Sequence, residues 1–245
     1  MAFMRRSRER SVQGSRLFVA PSLSFCSVLA LTAQPLLANP ARSQTDATPT
    51  AAPQWKHYPT PNRAPEGAPN ILLVLTDDVG FSAASAFGGA IPTPAFDQLA
   101  RAGLRYTQFH VTAMCSPTRA ALLTGRNHHA VGSGAISDVS MDEEGYTSVI
   151  PASAATLGRV LKDVGYDTAW FGKNHNTPPW ETGPMGPFER WPNGMGFDYF
   201  YGFNGAAADQ FNPSLVENRN LIRRDPADAD YILDRDMADR MLEWL

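Results

Sequence analysis

The run Cys115-Ser116-Pro117-Thr118-Arg119-Ala120-Ala121-Leu122-Leu123-Thr124-Gly125-Arg126 reads as a short helix with a marked start and stop. Ser116 is a good N-cap residue, Pro117 suits the first helical position, and Gly125 fits the left-handed residue that ends a helix. The pattern predicts a helix over Thr118–Leu123 with Cys115 at its mouth. Unbonded N–H groups and the helix dipole favour bound anions there. Arg119 stands four residues on, about one turn away, so its side chain can return to the side of residue 115. A reactive side chain, a cation and a helix N-terminus together make a site for anion transfer. A lone cysteine is more often a small buried hydrophobe, and that plainer reading leaves the rest of the run without a reason.

On both sides of this helix the chain alternates helix, glycine and strand. Ile71-Leu72-Leu73-Val74-Leu75 is a continuous apolar run of strand length, suited to a strand buried on both faces. Residues 94–102 read as a helix stopped by Gly103, and 104–109 as a strand. The same order returns in a helix over 155–164, a stop at Gly165 and a strand over 166–171. Repeated units of this kind argue for an α/β sandwich with a largely parallel sheet. Residues 177–220 read as an irregular stretch rich in Pro, Gly and aromatic residues, which either lines a substrate entrance or packs onto the core. Leu233, Met237, Met241 and Leu245 make an apolar helical stripe with Ile232, Ala238 and Leu242 beside them. No Gly, Asn or Pro closes that helix, which reads as a truncated chain.

Asp77 and Asp78 follow the first apolar strand, where ligands bind in open α/β sheets. Adjacent carboxylates repel unless a cation lies between them. Within a strand they face opposite ways, so both reach one ion only if the backbone turns at once, and Gly80 favours such a turn. Oxygen donors favour a hard ion, calcium or magnesium, and calcium takes about six to eight oxygens. Two carboxylates do not complete that set. His128 and His129 are adjacent and lack the helical spacing that puts two ligands on one face. They read as surface residues or as support for the site, and Asp209 and Asp225 as surface acids.

Three stretches together resemble the sulfatase family: the Cys115-to-Arg126 run, Asn70 to Gly80, and Gly172-Lys173-Asn174-His175. The resemblance covers residues 70–245. It implies the N-terminal part of a catalytic domain with an alkaline-phosphatase-like fold, a largely parallel central sheet flanked by helices. It implies that Cys115 is converted to formylglycine and that Asp77 and Asp78, with the modified residue 115, bind calcium. Arg119 would steady the charged aldehyde hydrate, while Lys173 and His175 would hold the sulfate and the covalent intermediate. One hydroxyl of the hydrate would attack the sulfur of a sulfate ester, and the other would then expel sulfate. Calcium, Arg119, Lys173 and the helix N-terminus would stabilise charge on the sulfuryl oxygens. Sulfatases carry further ligands, an Asp–Asn pair, and a further His and Lys, with no counterpart before Leu245. The commoner family form also has tryptophan where this chain has Asn174. The reaction expected is hydrolysis of a small-molecule sulfate ester, aryl sulfate by default, after a maturation enzyme has acted on Cys115. A phosphonate or phosphodiester hydrolase of the same superfamily is the alternative enzyme. An inactive fragment or a sulfate-binding protein is the alternative outside catalysis, and the chain alone is expected to be inactive or nearly so.

The remaining features bound the setting. Among 245 residues the formal net charge is −3, and nothing suggests a nucleic-acid partner. Residues 1–38 pair a basic head, Arg5, Arg6, Arg8, Arg10 and Arg16, with an apolar run, which reads as an export signal rather than a membrane anchor. Residues 39–69 read as a Pro/Ala/Thr-rich linker or arm. The location expected is periplasmic or secreted. Of the two cysteines, Cys26 would leave with the signal. Cys115 then has no partner for an internal disulfide, and its conversion to an aldehyde would explain the leftover thiol.

Overall fold

The computed structural model describes residues 2–6, 62–224 and 229–245. Most of the expected export signal and the first part of the expected linker lie outside the described residues. The strands are β1 (Ala2–Arg6), β2 (Ile71–Leu73), β3 (Tyr166–Lys173), β4 (Tyr199–Phe203), β5 (Leu215–Glu217) and β6 (Asn220–Ile222). The main helices are α1 (Pro94–Ala102), α2 (Cys115–Thr124), α3 (Leu157–Asp163) and α4 (Leu233–Trp244).

The six strands form one open sheet in the order β2-β1-β3-β4-β5-β6. β1 runs antiparallel to both β2 and β3, and β3 pairs parallel with β4. β2, β3 and β4 therefore point the same way, and their carboxyl ends share one edge of the sheet. β5 and β6 return as antiparallel strands. The sheet is mixed, with the parallel direction concentrated where the motifs lie. β1 comes from the segment read as the basic head of an export signal.

Side chains alternate across the sheet with the strand period of two. Trp170, Phe200 and Val216 face one way and pack with Leu123 of α2 and with Trp191 and Phe197 of the loop before β4. Ala169, Phe171, Tyr201 and Leu215 face the other way and pack against Leu233 and Met237 of α4. Helices thus cover both faces. The stripe on α4 is real over its first turns, with Leu233 and Met237 buried, whereas Leu242 and Leu245 are exposed. The aromatics of residues 177–220 divide: Trp191, Phe197, Phe200 and Tyr201 are almost completely buried, Phe188, Tyr199 and Phe203 are partly buried against the core, and Trp180 and Phe211 are exposed. That stretch is also less irregular than its sequence suggests. It contains β4, whose Tyr199-Phe200-Tyr201 run has the aromatic composition of a strand.

Two elements differ from expectation. β2 is paired only over Ile71–Leu73, shorter than the apolar run. Residues 104–109 form no strand, and Leu104, Tyr106 and Phe109 are strongly exposed. Strand propensity needs a neighbouring edge to pair with, and among the described residues none lies beside this segment. The described end of the expected linker is docked: Ala64 is buried, and its N–H donates to the Gly165 carbonyl at 3.1 Å.

Candidate active site

The shared edge gathers the motif residues. Asp77 and Asp78 lie just past β2, Lys173 ends β3 with Asn174 and His175 following, and Asn204 follows β4. The α2 N-terminus meets this edge. Cys115 is the first helical residue, and Met114, in extended conformation, is the N-cap without a side-chain cap bond. Ser116 is therefore not the cap that its residue type suggests. Its hydroxyl donates to the His175 carbonyl at 2.6 Å and accepts the Ser137 N–H at 3.1 Å. Tertiary bonding has taken the hydroxyl away from local capping. Gly125 does adopt the left-handed stop, with φ 65°.

Arg119 is buried and bridges two elements: its guanidinium donates to the Lys173 carbonyl at 2.8 Å and to Asp77 Oδ1 at 3.2 Å. Lys173 Nζ donates to Asp77 Oδ2 at 2.8 Å. Asp77 thus sits between two cations. Partial burial opposes its ionisation, but Lys173 and Arg119 outweigh that and hold its carboxyl below the usual value of 3.8.

Asp78 makes the sharp turn itself, with φ 54°, a left-handed conformation that Asp tolerates better than most residues. The turn expected to rely on Gly80 is thereby made one residue after Asp77. As a result, one ligand atom each from Asp77, Asp78 and Cys115 lie within 4.8 Å of one another.

His175 also has positive φ, 54°, and is buried. Its Nε2 lies 2.6 Å from Oδ2 of Asp138. Burial depresses its pKa and the charges of Lys173 and Arg119 add to that, which outweighs the opposing pull of Asp138. Asp138 is held below the usual carboxylate value chiefly by its bond with His175. Burial and the neighbouring cations thus favour the neutral ring, which meets the Asp138 carboxylate through Nε2. Asp138 carries no motif around it, and sequence reading passed over it.

A buried amide network also escaped sequence reading. Asn174, fully buried, donates to Thr177 Oγ1 at 2.7 Å and to Asn204 Oδ1 at 2.8 Å. Asn176 donates to the Ser116 carbonyl at 3.0 Å. Asn174, the position where the chain departs from the commoner family form, thus helps to fix the loop after β3 rather than lining an open pocket. Only the clustering of Asn174, Asn176 and Thr177 hinted at such a network.

The remaining candidates stay apart from this cluster. The His128 and His129 rings stack at 4.2 Å, His129 bonds to the Tyr146 hydroxyl at 3.1 Å, and His128 meets the Ser133 carbonyl at 3.2 Å. Asp209 is exposed and accepts the N–H groups of Phe211 and Asn212. Asp225 lies outside the described residues.

Comparison with known proteins points to one family. A family model described as Sulfatase matches residues 69–245. Arylsulfatase of Klebsiella aerogenes is 32% identical over 155 residues, covering 62% of this chain and 32% of that protein. Human steryl-sulfatase is 37% identical over 142 residues, covering 56% of this chain and 24% of that protein. Among solved structures, that of Ps i-CgsB in complex with k-i-k-neocarrahexaose aligns with a TM-score of 0.55 at 23% identity. It covers 69% of this chain and 39% of that one, a likeness of fold. The chain spans about a third or less of the length of these curated relatives.

Proposed function

The chain belongs to the sulfatase family, and from that premise we propose that its protein hydrolyses sulfate monoesters through a formylglycine made from Cys115. The observation that carries this reading is the convergence of Asp77, Asp78 and Cys115 within 4.8 Å, with Arg119 and Lys173 both bonded to Asp77.

The donor set fits a hard cation. Asp77 and Asp78 would hold calcium through carboxylate oxygens, and residue 115 would add an oxygen once its sulfur has been replaced. Bound calcium supplies positive charge beside residue 115, and the hydrated aldehyde supplies two hydroxyls where cysteine has one thiol. The chain's own residues do the rest. Lys173 and Arg119 share their hydrogen-bond donors between Asp77 and an incoming sulfate group. The first turn of α2 presents backbone N–H groups toward an anion at residue 115. Ser116, locked between His175 and Ser137, fixes the start of that helix against the end of β3. Such preorganised donors lower the barrier because they need not reorient as charge develops.

The protein's setting belongs to the same reading: export to the periplasm or beyond, maturation by a formylglycine-generating enzyme, and a small sulfate ester as substrate, aryl sulfate by default. The test is the mass of the tryptic peptide spanning 106–119 from protein made beside a maturation enzyme, followed by sulfate release from 4-nitrophenyl sulfate. Conversion of the thiol to an aldehyde is the expected result, with calcium-dependent sulfate release by a protein that carries the full set of family ligands and little or none by residues 1–245 alone. An unmodified thiol would overturn the formylglycine chemistry. An aldehyde that hydrolyses only a phenyl phosphonate would move the protein to phosphonate esters.

A further inference from the structure

His175 has two ring nitrogens in different surroundings. Nε2 lies 2.6 Å from Asp138 Oδ2, whereas Nδ1 is buried and meets no hydrogen-bond partner among the described residues. Asp138 stands on a short 3-10 turn, Ser137–Val139. That turn is tied to the histidine by more than the carboxylate. The Ser137 N–H donates to Ser116 Oγ, and the same hydroxyl donates to the His175 carbonyl at 2.6 Å. One serine therefore holds the backbone of the histidine and the backbone beside the aspartate together. The left-handed backbone of His175, φ 54°, is a further sign that its placement is imposed by its surroundings.

A carboxylate only accepts hydrogen bonds, so the hydrogen of the neutral ring belongs on Nε2 and the lone pair on Nδ1. We propose that Asp138 is a positioning residue for the hydrolysis, fixing the orientation and tautomer of His175 so that Nδ1 is its free proton acceptor. The reaction it serves rests on the sulfatase reading above, but the contact and the tautomer do not. In other buried imidazoles a carboxylate behind the ring fixes the tautomer and stabilises the imidazolium formed during turnover. Here the need is greater, because burial and the charges of Lys173 and Arg119 all oppose a proton on the ring. A packing role alone would not require an ionisable group in this place: Asp138 is half exposed, and it meets the ring through a carboxylate oxygen.

The test uses the full chain carrying 15N-labelled histidine, with Asp138→Ala and Asp138→Asn beside it. Long-range 1H–15N correlation reads the tautomer of His175 directly. The wild-type ring is expected as a single Nε2–H form, and Asp138→Ala should move it toward the mixture seen for free imidazole. In matured protein, Asp138→Asn, which keeps the shape and removes the charge, should lower kcat about tenfold to a hundredfold while KM changes less than about twofold. A wild-type ring protonated on Nδ1, or an Asp138→Ala ring with an unchanged tautomer, overturns the proposal. So does an Asp138→Asn protein with wild-type kcat. If Cys115 stays an unmodified thiol in the wild-type protein, the sulfatase reading fails, and the tautomer measurement still decides the role of Asp138 behind the ring.

Discussion

Asp77 is held in two ways that draw on the same two oxygens. Lys173 takes Oδ2 and Arg119 takes Oδ1, so a cation arriving between Asp77 and Asp78 must share that carboxylate with both. The two neighbours of the carboxylate can be separated by experiment. Asp78→Asn keeps a side chain that tolerates the left-handed backbone at φ 54° but removes one of the two charges. It should lower calcium affinity more than about tenfold with little change in Tm, read by calorimetric titration and thermal unfolding. Lys173→Ala should leave calcium binding within a few-fold and lower kcat about a hundredfold or more, the usual effect of removing one preorganised donor. If Lys173→Ala abolished calcium binding instead, its role would be to hold Asp77 rather than to meet sulfate. Asp77, Asp78, Cys115, Arg119, Lys173 and His175 were legible in the sequence because short motifs place them, and the structure brings them to one edge. Asp138 was not legible. Its bond to His175 crosses 37 residues, and no periodicity or spacing announces a contact made by the fold alone. Ser116 was misread as a cap for the same reason: local preference assigns its hydroxyl to the helix, and tertiary structure gives it to His175.

The pairing of β3 with β4 carries the site's rigidity, and it depends on a close approach of backbones. Gly172 and Gly202 are register partners, and a Cβ at Gly202 would lie 2.0 Å from the Gly172 carbonyl oxygen. Gly202→Ala must therefore push the strands apart one residue before Lys173. The expected cost is about 1–3 kcal/mol or more in denaturant unfolding, with turnover falling further than stability alone explains because Lys173 moves from Asp77. A Gly202→Ala protein with wild-type stability and rate would show that the strands adjust freely. The α3 N-cap combines a local bond with a tertiary one. Thr156 accepts the Arg159 N–H at 3.2 Å and its hydroxyl also reaches the Met195 carbonyl. Thr156→Ala should cost about 1–2 kcal/mol and leave kcat alone. Elements with strong local signals, such as α1 and the α3–Gly165–β3 unit, appear within a few residues of where the sequence puts them. β4 was hidden because its aromatic run lies in a stretch dominated by Pro and Gly. Residues 104–109 were overcalled because apolar composition does not supply a strand partner.

On the scale of the whole molecule, the acidic half of the site, Asp77 and Asp78, hangs from the edge of the sheet. β2 precedes Asp77 and Asp78, and among the described strands its sole neighbour is β1. β1 is also paired to β3, with Met4 fully buried and Arg5 stacked over the Trp244 ring at 4.2 Å. The segment that joins the two halves is thus the same one whose basic residues read as the head of an export signal. The two roles have different consequences. If Ala2–Arg6 stays in the sheet, β2 is fixed relative to β3, and so are Asp77 and Lys173. If export removes it, β2 loses those pairs while β3, β4 and β5 keep theirs. A chain beginning at residue 39 separates the cases. Hydrogen exchange should show the amides of Ile71–Leu73 losing most of their protection while those of β3 and β4 stay slow, since exchange follows local rather than global opening. Calcium affinity should fall along with that protection, because Asp77 and Asp78 are then held by β2 alone. Retained protection at Ile71–Leu73 would mean that another strand takes the place of β1. The N-terminal segment would then be dispensable for the site and free to act as an export signal.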